Sequence, residues 1–317
     1  MSLKTIIGQD RAVRRLKSLL STRAVPPALV FSGSKGVGKA TCAVRFAKAL
    51  NCDNHKDDCC DLCQPCSAVD KGISPDMHLV DAAYQAGLLE GDPAKQRSIR
   101  VDTVRHVIGD LEMRSLTGRW KAAIVDQAHT LVIAAANAML KSLEEPPPRT
   151  VWILVTDRPN ELLPTIRSRC QTLPFSPLAP ELIVSALIER GVPRAEAETA
   201  APLAEGSLGR ALEILEQDQP HPSEWIADPL APFQLAEALP RGLHLSRPLV
   251  EDQIHRMAWH IRRSLGPEGY SSAPVRTALR ELARLRRALK SNVDPRIVLE
   301  LAAFRLQHLH SAGSLPS

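Results

Sequence analysis

"FSGSKGVGKATCAVRFAKALNC", Phe31 to Cys52, decides the fold. With the residues just before it, "PALVFSG" from Pro27 to Gly33 reads as a short buried strand ending in glycine. Cys42, Phe46, Ala49 and Leu50 then recur near helical spacing, so the stretch predicts strand, loop and helix. The loop, Gly33, Ser34, Lys35, Gly36, Val37, Gly38 and Lys39, fits the phosphate-binding pattern G-x-x-x-x-G-K. Its glycines let backbone N–H groups turn toward a phosphate, and the N-terminus of the following helix adds positive potential. Lys39 is placed to neutralise the outer phosphates. The next position should carry a hydroxyl for magnesium, but it is Ala40. Thr41 follows one residue later, and one residue turns a helical side chain by about 100°. The cradle is kept while the metal ligand is gone.

Two further apolar runs lie downstream: "WKAAIVD", Trp120 to Asp126, and "TVWILVTD", Thr150 to Asp157. Helical patterns separate the runs, as in "AAANAMLKSLEE", Ala134 to Glu145, stopped by Pro146, Pro147 and Pro148. Fully apolar strands alternating with helices predict an α/β fold, a parallel sheet covered on both faces. After Cys170 the character changes. Pro174, Pro177 and Pro180 punctuate the exit from the sheet, and two or three short helices follow from Glu181 to about Glu216. "DQPHPSEWIADPLAP", Asp218 to Pro232, reads as a linker. The last segment is helical, with Val275, Leu279, Leu282, Leu285 and Leu289 at spacings of three and four and arginines on other faces.

The chain of 317 residues is long enough for two or three domains, and 44% apolar residues permit a sizeable core. Only 3% are aromatic, which argues against stacking platforms for single-stranded bases as the main device. The net charge of +5 sits mostly at the C-terminal end: residues 221–317 hold 13 Lys and Arg against 9 Asp and Glu. That permits contact with nucleic acid without demanding it. The N-terminus lacks the apolar core of a signal peptide, and no run reaches the roughly 18 apolar residues of a membrane span. The expectation is a soluble, cytoplasmic protein without a membrane partner.

Asp126 ends the second run, where an acid in phosphate-loop proteins helps hold magnesium. The position after it, which in many ATPases is a glutamate that orients the attacking water, is Gln127, and an amide cannot take a proton. Ala40 and Gln127 fail together, the pattern of a site released from hydrolysis. Five of the seven cysteines lie between Cys52 and Cys66. Cys60, Cys63 and Cys66 form C-x2-C-x2-C, and Cys52 lies one short loop upstream. Four thiolates so spaced suit a closed, structural zinc site, with Cys59 as the alternative to Cys52 for the fourth place. Cys42 and Cys170 read as packing residues.

"IIGQD", "GSKGVGKAT", "LNC…CCDLCQPC", "NAMLKSLEEPPP" and "PTIRSRCQTLPF" occur in order. Together they resemble the bacterial DNA polymerase III clamp loader over Met1 to about Glu216. The C-terminal part is similar only in helical character and in "NVDPRIVLELAAFRL". The resemblance implies an AAA+ phosphate-loop core over residues 1–173 with a zinc module at 52–66, a helical lid over 174–220, and an all-α collar over 221–317. It implies a hetero-pentamer with gamma/tau and delta subunits, acting on the sliding clamp and primer–template DNA. Ala40, Gln127 and Gly209, the last standing where motor subunits carry a nucleotide-sensing arginine in the lid, resemble the delta-prime type. The resemblance makes Gly33 to Thr41, Asp126 and Thr156 a degenerate nucleotide site that binds ATP and magnesium weakly without hydrolysis. It makes Arg169, in the intact "SRC", an arginine finger for a neighbour's ATP, while Arg167 pairs locally. Three rival readings stand beside it: a hydrolysing gamma-like subunit, a stand-alone phosphate-loop enzyme such as a small-molecule kinase, and an independent DNA-binding protein.

Overall fold

The computed structural model describes residues 2–54, 57–113, 115, 119–216, 228–240, 243–269, 273–289, 291 and 293–311. They fall into two compact units that divide between Ile214 and Leu215.

The first unit is built on a five-stranded parallel sheet. In chain order the strands are β1 (Ala28–Ser32), β2 (Met77–Val80), β3 (Lys121–Val125), β4 (Thr150–Thr156) and β5 (Gln171–Pro174), and in space the order is β2-β3-β4-β1-β5. The three central strands are buried at every position. Alternate residues serve two cores. Leu29, Phe31, Ala122, Ile124, Val151, Ile153 and Val155 face one, shared with helices α1 (Asp10–Thr22) and α2 (Lys39–Leu50). Ala28, Val30, Ala123, Val125, Trp152 and Leu154 face the other, shared with α5 (Val101–Glu112) and α6 (Ile133–Glu144). A strand buried on both faces has no polar side, which is why these three are continuous apolar runs. Trp152 is fully buried, and its indole N–H donates to Ser142 Oγ on α6 at 2.9 Å, the partner a buried indole needs.

The parallel sheet puts the ends of β1, β3 and β4 on one edge, where ligands of open α/β sheets bind. "IIGQD" fixes the chain entry beside it. Gln9 is buried, its amide donates to Ser176 O at 2.7 Å, and its carbonyl accepts from Ser176 N at 3.0 Å. Short helices α3 (Gln64–Asp70) and α4 (Ala82–Leu88) flank β2, and three helices follow the sheet: α8 (Pro180–Ile188), α9 (Arg194–Leu203) and α10 (Leu208–Glu216).

Among its described residues the second unit is built of helices: Ala231–Glu237, Leu243–Gly269, Ala273–Ala288 and Pro295–Ser311. Val250, Ile254, Met257, Ile261, Val275, Leu282, Val298 and Leu306 close its core. The stretch expected as a linker lies outside the described residues up to position 227. Its last residues differ from that expectation: a helix opens at Ala231 with Pro232 in its first turn, where the missing N–H has no helical partner to lose. Gln307 Nε2 donates to Asp228 O at 2.7 Å and ties this entry to the last helix. Among the described residues no helix is long and apolar enough to cross a membrane.

Candidate functional site

The phosphate loop stands where the sequence places it, between β1 and α2. Gly36 and Gly38 adopt φ of 75° and 96°, the left-handed region that glycine enters without strain. A cavity of about 590 Å3 opens here, lined by Lys35 to Thr41, Asp126, Thr156 and, from the lid side, Leu208, Gly209 and Leu212. Gly33 and Ser34 do not line it; they turn their carbonyls to Lys39 Nζ, both at 2.7 Å. Lys39 is buried, and burial lowers its pKa against the opposing pull of Asp157 and Asp126. Its ammonium thus serves the loop's own carbonyls.

The start of α10 rests on that loop. Gly209 N donates to Gly36 O at 3.0 Å. A Cβ on Gly209 would meet Gly36 Cα at 3.0 Å, and one on Gly36 would meet Ser207 Oγ at 2.2 Å. The approach is so tight that a side chain at position 209 would force the phosphate loop to give by a few tenths of an ångström. Lys35 and Glu213 add an exposed ion pair at 3.3 Å, which contributes little in water. The sequence marks Gly209 as a missing arginine; only the fold shows that the glycine lets the lid touch the phosphate loop.

Asp126 Oδ1 accepts from the Gln127 N–H at 2.9 Å, and Gln127 is itself exposed with φ of 47°. Ala40 and Thr41 both line the cavity, but Thr41 is exposed on the next face of α2. Thr156 is buried at the end of β4. Its Oγ1 lies 3.2 Å from His129 Nδ1 and accepts from Arg158 N at 3.0 Å, while His129 Nδ1 lies 3.3 Å from Asp157. His129, Asp157 and Arg158 are site residues that the sequence reading did not single out. Both acids of the second and third runs, Asp126 and Asp157, end up facing Lys39.

The cysteines form a second centre beyond the other end of α2. The Sγ atoms of Cys52, Cys60, Cys63 and Cys66 all lie within 4.8 Å of one another. Cys63 and Cys52 are 3.9 Å apart, close to the roughly 3.8 Å edge of a sulfur tetrahedron with metal–sulfur bonds of about 2.3 Å. Cys60 N donates to Cys52 Sγ at 3.3 Å and Cys63 N to Cys60 Sγ at 3.4 Å. Backbone N–H groups of Leu62 and Cys63 bring the Cys60 thiol down to about 6, whereas burial raises Cys52 and Cys66. Cys59 is outside this cluster, its thiol 3.5 Å from Asp61 and pushed up to about 12 by burial. The donor set therefore fits a tetrahedral thiophilic ion, and its fourth member is Cys52. Lys48, fully buried on α2, bridges Asp61 of the cysteine loop at 2.6 Å and Asp70 of α3 (Gln64–Asp70) at 2.5 Å, fastening both to the core. Cys42 is fully buried and Cys170 half-buried against the sheet.

Arg169 is exposed just past α7 (Pro164–Arg167). Glu144, at the end of α6, pairs with its guanidinium, and its NH1 donates to Thr165 O at 3.0 Å. Arg167 pairs locally, with Asn160 Oδ1 at 3.2 Å.

A sheet ordered β2-β3-β4-β1-β5, with a phosphate loop after β1 and a small helical subdomain following, defines an AAA+ core. Within that class, the chain belongs to the DNA polymerase III clamp-loader family: the family described as DNA polymerase III, delta subunit, matches residues 8–179. The chain is 33% identical over 211 residues to the DNA polymerase III subunit delta' of Bacillus subtilis, covering 67% of this chain and 60% of that protein. It is 32% identical over 219 residues to the subunit tau of the same organism, again over 67% of this chain but 37% of that protein. The matches thus span less than two thirds of either relative. A DNA polymerase III gamma subunit-related protein from Thermotoga maritima superposes with a TM-score of 0.59 at 15% identity, covering 94% of this chain and 99% of that one. At that identity the likeness is one of fold.

Proposed function

We propose that this chain is a delta-prime-type subunit of a clamp loader, a cytoplasmic protein that joins gamma/tau-like and delta-like subunits in a hetero-pentamer. That assembly loads the sliding clamp onto primed DNA. Residues 1–173 serve as the AAA+ core, 174–220 as the lid and 221–317 as the collar through which subunits join. The observation that carries the choice of delta-prime over gamma or tau is the contact of Gly209 on Gly36. The lid sits on the phosphate loop where a motor subunit has an arginine to sense nucleotide, and Ala40 and Gln127 remove the metal ligand and the water-orienting acid of the same site. Gly33 to Thr41, Asp126 and Thr156 then hold ATP and magnesium weakly. The four-cysteine centre holds one structural zinc. Arg169 completes a neighbour's ATP site.

Reconstitution tests this reading: gamma-like and delta-like subunits of the same source are mixed with and without the chain, and clamp loading is measured. Loading should depend on the chain; loading at the same rate without it overturns the reading. The chain alone should turn over ATP about 10²–10⁴-fold more slowly than the gamma-like subunit, the usual loss when a general base is removed. A steady-state rate comparable to the gamma-like subunit's, abolished by Lys39→Ala, would restore the gamma-like alternative.

A further inference from the structure

The cavity and the cysteine centre meet at the start of the chain. Leu3–Thr5 forms a single 3-10 turn, and the first N–H groups of such a turn find no partner within it. Asp58, in the cysteine loop, supplies one. Its Oδ1 accepts from Leu3 N at 2.8 Å and from Cys59 N at 2.8 Å, and its Oδ2 accepts from Lys4 N at 3.3 Å. One carboxylate thus ties the turn to the loop across 55 positions of sequence. Its side chain is 8% exposed, and Lys17 Nζ lies 3.7 Å from it. Leu3 is fully buried in the same core as Cys52, Cys59 and Cys66. The turn leads straight to the cavity, which Thr5, Ile6 and Ile7 line. Thr5 N donates to Ser2 O at 3.2 Å and Ile6 N to Leu3 O at 3.1 Å. Ile6 and Ile7 lie in neither helix nor strand, so their placement depends on the anchors at either end. Gln9 on Ser176 is one anchor; Asp58 on Leu3 and Lys4 is the other.

We infer that Asp58 is a positioning residue of the nucleotide cavity, through which the cysteine module sets the wall made by Thr5, Ile6 and Ile7. Cys60 and Cys63 follow Asp58 in the same loop. Drawing four thiolates together orders that loop, because metal binding is coupled to folding, and an ordered loop holds the Asp58 carboxylate under the turn. With the thiols unliganded the loop relaxes, and the turn and the wall relax with it. The link is reciprocal: whatever a filled cysteine centre adds to nucleotide affinity, nucleotide adds to metal affinity. The inference rests on the readings of the cavity as a nucleotide site and of the four cysteines as a zinc centre. It goes beyond both, since it makes the cysteine module part of how the cavity is shaped.

The test uses the full chain in four forms: parent and Asp58→Ala, each zinc-loaded and zinc-stripped. Two properties are read, amide hydrogen exchange over Leu3 to Ile7 and equilibrium binding of ribose-labelled fluorescent ATP, with zinc content measured throughout. The stripped parent and the loaded Asp58→Ala variant should each exchange Thr5 and Ile6 faster and bind the labelled ATP about 2–30-fold more weakly, the range given by loss of a capping group. Stripping Asp58→Ala should add little, because the link is already cut. Asp58→Asn keeps an acceptor for Leu3 N and Cys59 N and should recover most of the affinity. Asp57→Ala removes the neighbouring acid, which lies 3.8 Å from Lys17, and should behave as the parent does. Unchanged exchange in the stripped parent overturns the inference. So do losses that add in full, which would make the two effects independent, and loss of zinc from Asp58→Ala, which would place the residue in the metal centre itself. A lower thermal midpoint with unchanged exchange and affinity overturns it too, leaving Asp58 as a cap of the turn. A parent chain that binds no labelled ATP counts against the nucleotide reading, and the exchange comparison still decides the link. A parent that takes up no zinc ends the inference together with the zinc reading.

Discussion

Purified under reducing, chelator-free conditions, the chain should carry about one zinc, and Cys63→Ser should lose it and lower the thermal midpoint by on the order of 10 °C. Structural zinc contributes about 10–16 kcal/mol in isolated finger peptides, whose apo form is unfolded. The loss here should be smaller for a structural reason. Cys52 and Cys66 are packed in the same core as Phe46 and Leu50, and Lys48 ties the cysteine loop and α3 to α2 through Asp61 and Asp70. The module stays attached without metal, so only part of that binding energy should appear as lost stability, and each kcal/mol lowers the midpoint of a large domain by roughly 2–4 °C. The cluster geometry adds a sharper comparison. Cys52→Ser should lose the ion and Cys59→Ser should keep it, because Cys59 lies against Asp61 and outside the cluster. Elemental analysis of the two variants decides. No zinc in the parent chain, or retention in Cys52→Ser with loss in Cys59→Ser, refutes the assignment.

How much of this was legible in the sequence depended on burial. β1, β3 and β4 are covered on both faces and show as unbroken apolar runs. β2 and β5 sit at the sheet's edges with four residues each and one buried residue apiece, so "MHLV" and "QTLP" are too short and too little covered to stand out as unbroken apolar runs. Proline punctuation misled in one place: Pro232 reads as loop but stands in a first helical turn. The local parts of the site, the loop from Gly33 to Lys39 and the C-x2-C-x2-C spacing, could be read directly, because their chemistry is set by neighbours in the chain. The parts made by distant residues could not. Gly209 on Gly36, His129 between Thr156 and Asp157, and Glu144 on Arg169 are contacts that only the fold brings about. The choice between Cys52 and Cys59 was likewise open until the loop's path placed one thiol in the cluster and the other against a carboxylate.

Arg169→Ala should cut DNA- and clamp-stimulated ATP hydrolysis by the reconstituted complex while leaving the chain folded, zinc-loaded and assembled. The side chain is exposed past α7 and fills no core position, so its removal should not disturb the fold. A guanidinium delivered to a neighbour's ATP is worth about 10³–10⁵ in rate at that site, or roughly 4–7 kcal/mol. In the free chain Glu144 holds the guanidinium, and the two energies decide whether that pairing blocks the role. An ion pair this exposed is worth about 0–1 kcal/mol, far less than the interaction to be gained at a transferring phosphate, so pairing with Glu144 does not by itself bar Arg169 from the proposed role. Glu144→Gln should accordingly leave the stimulated rate undiminished. Arg169→Lys should fail nearly as Ala does, since an ammonium keeps the charge but not the planar fork. On the proposed reading the fall in total hydrolysis should be one site's share, the other sites being served by other subunits. Lys39→Ala gives the contrast: with Ala40 and Gln127 beside it and the lid resting on Gly36, its loss should matter far less than that of Arg169. The opposite order, with Lys39→Ala severe and Arg169→Ala mild, would mean that the chain runs on its own ATP and that position 169 serves only to brace α6 against α7.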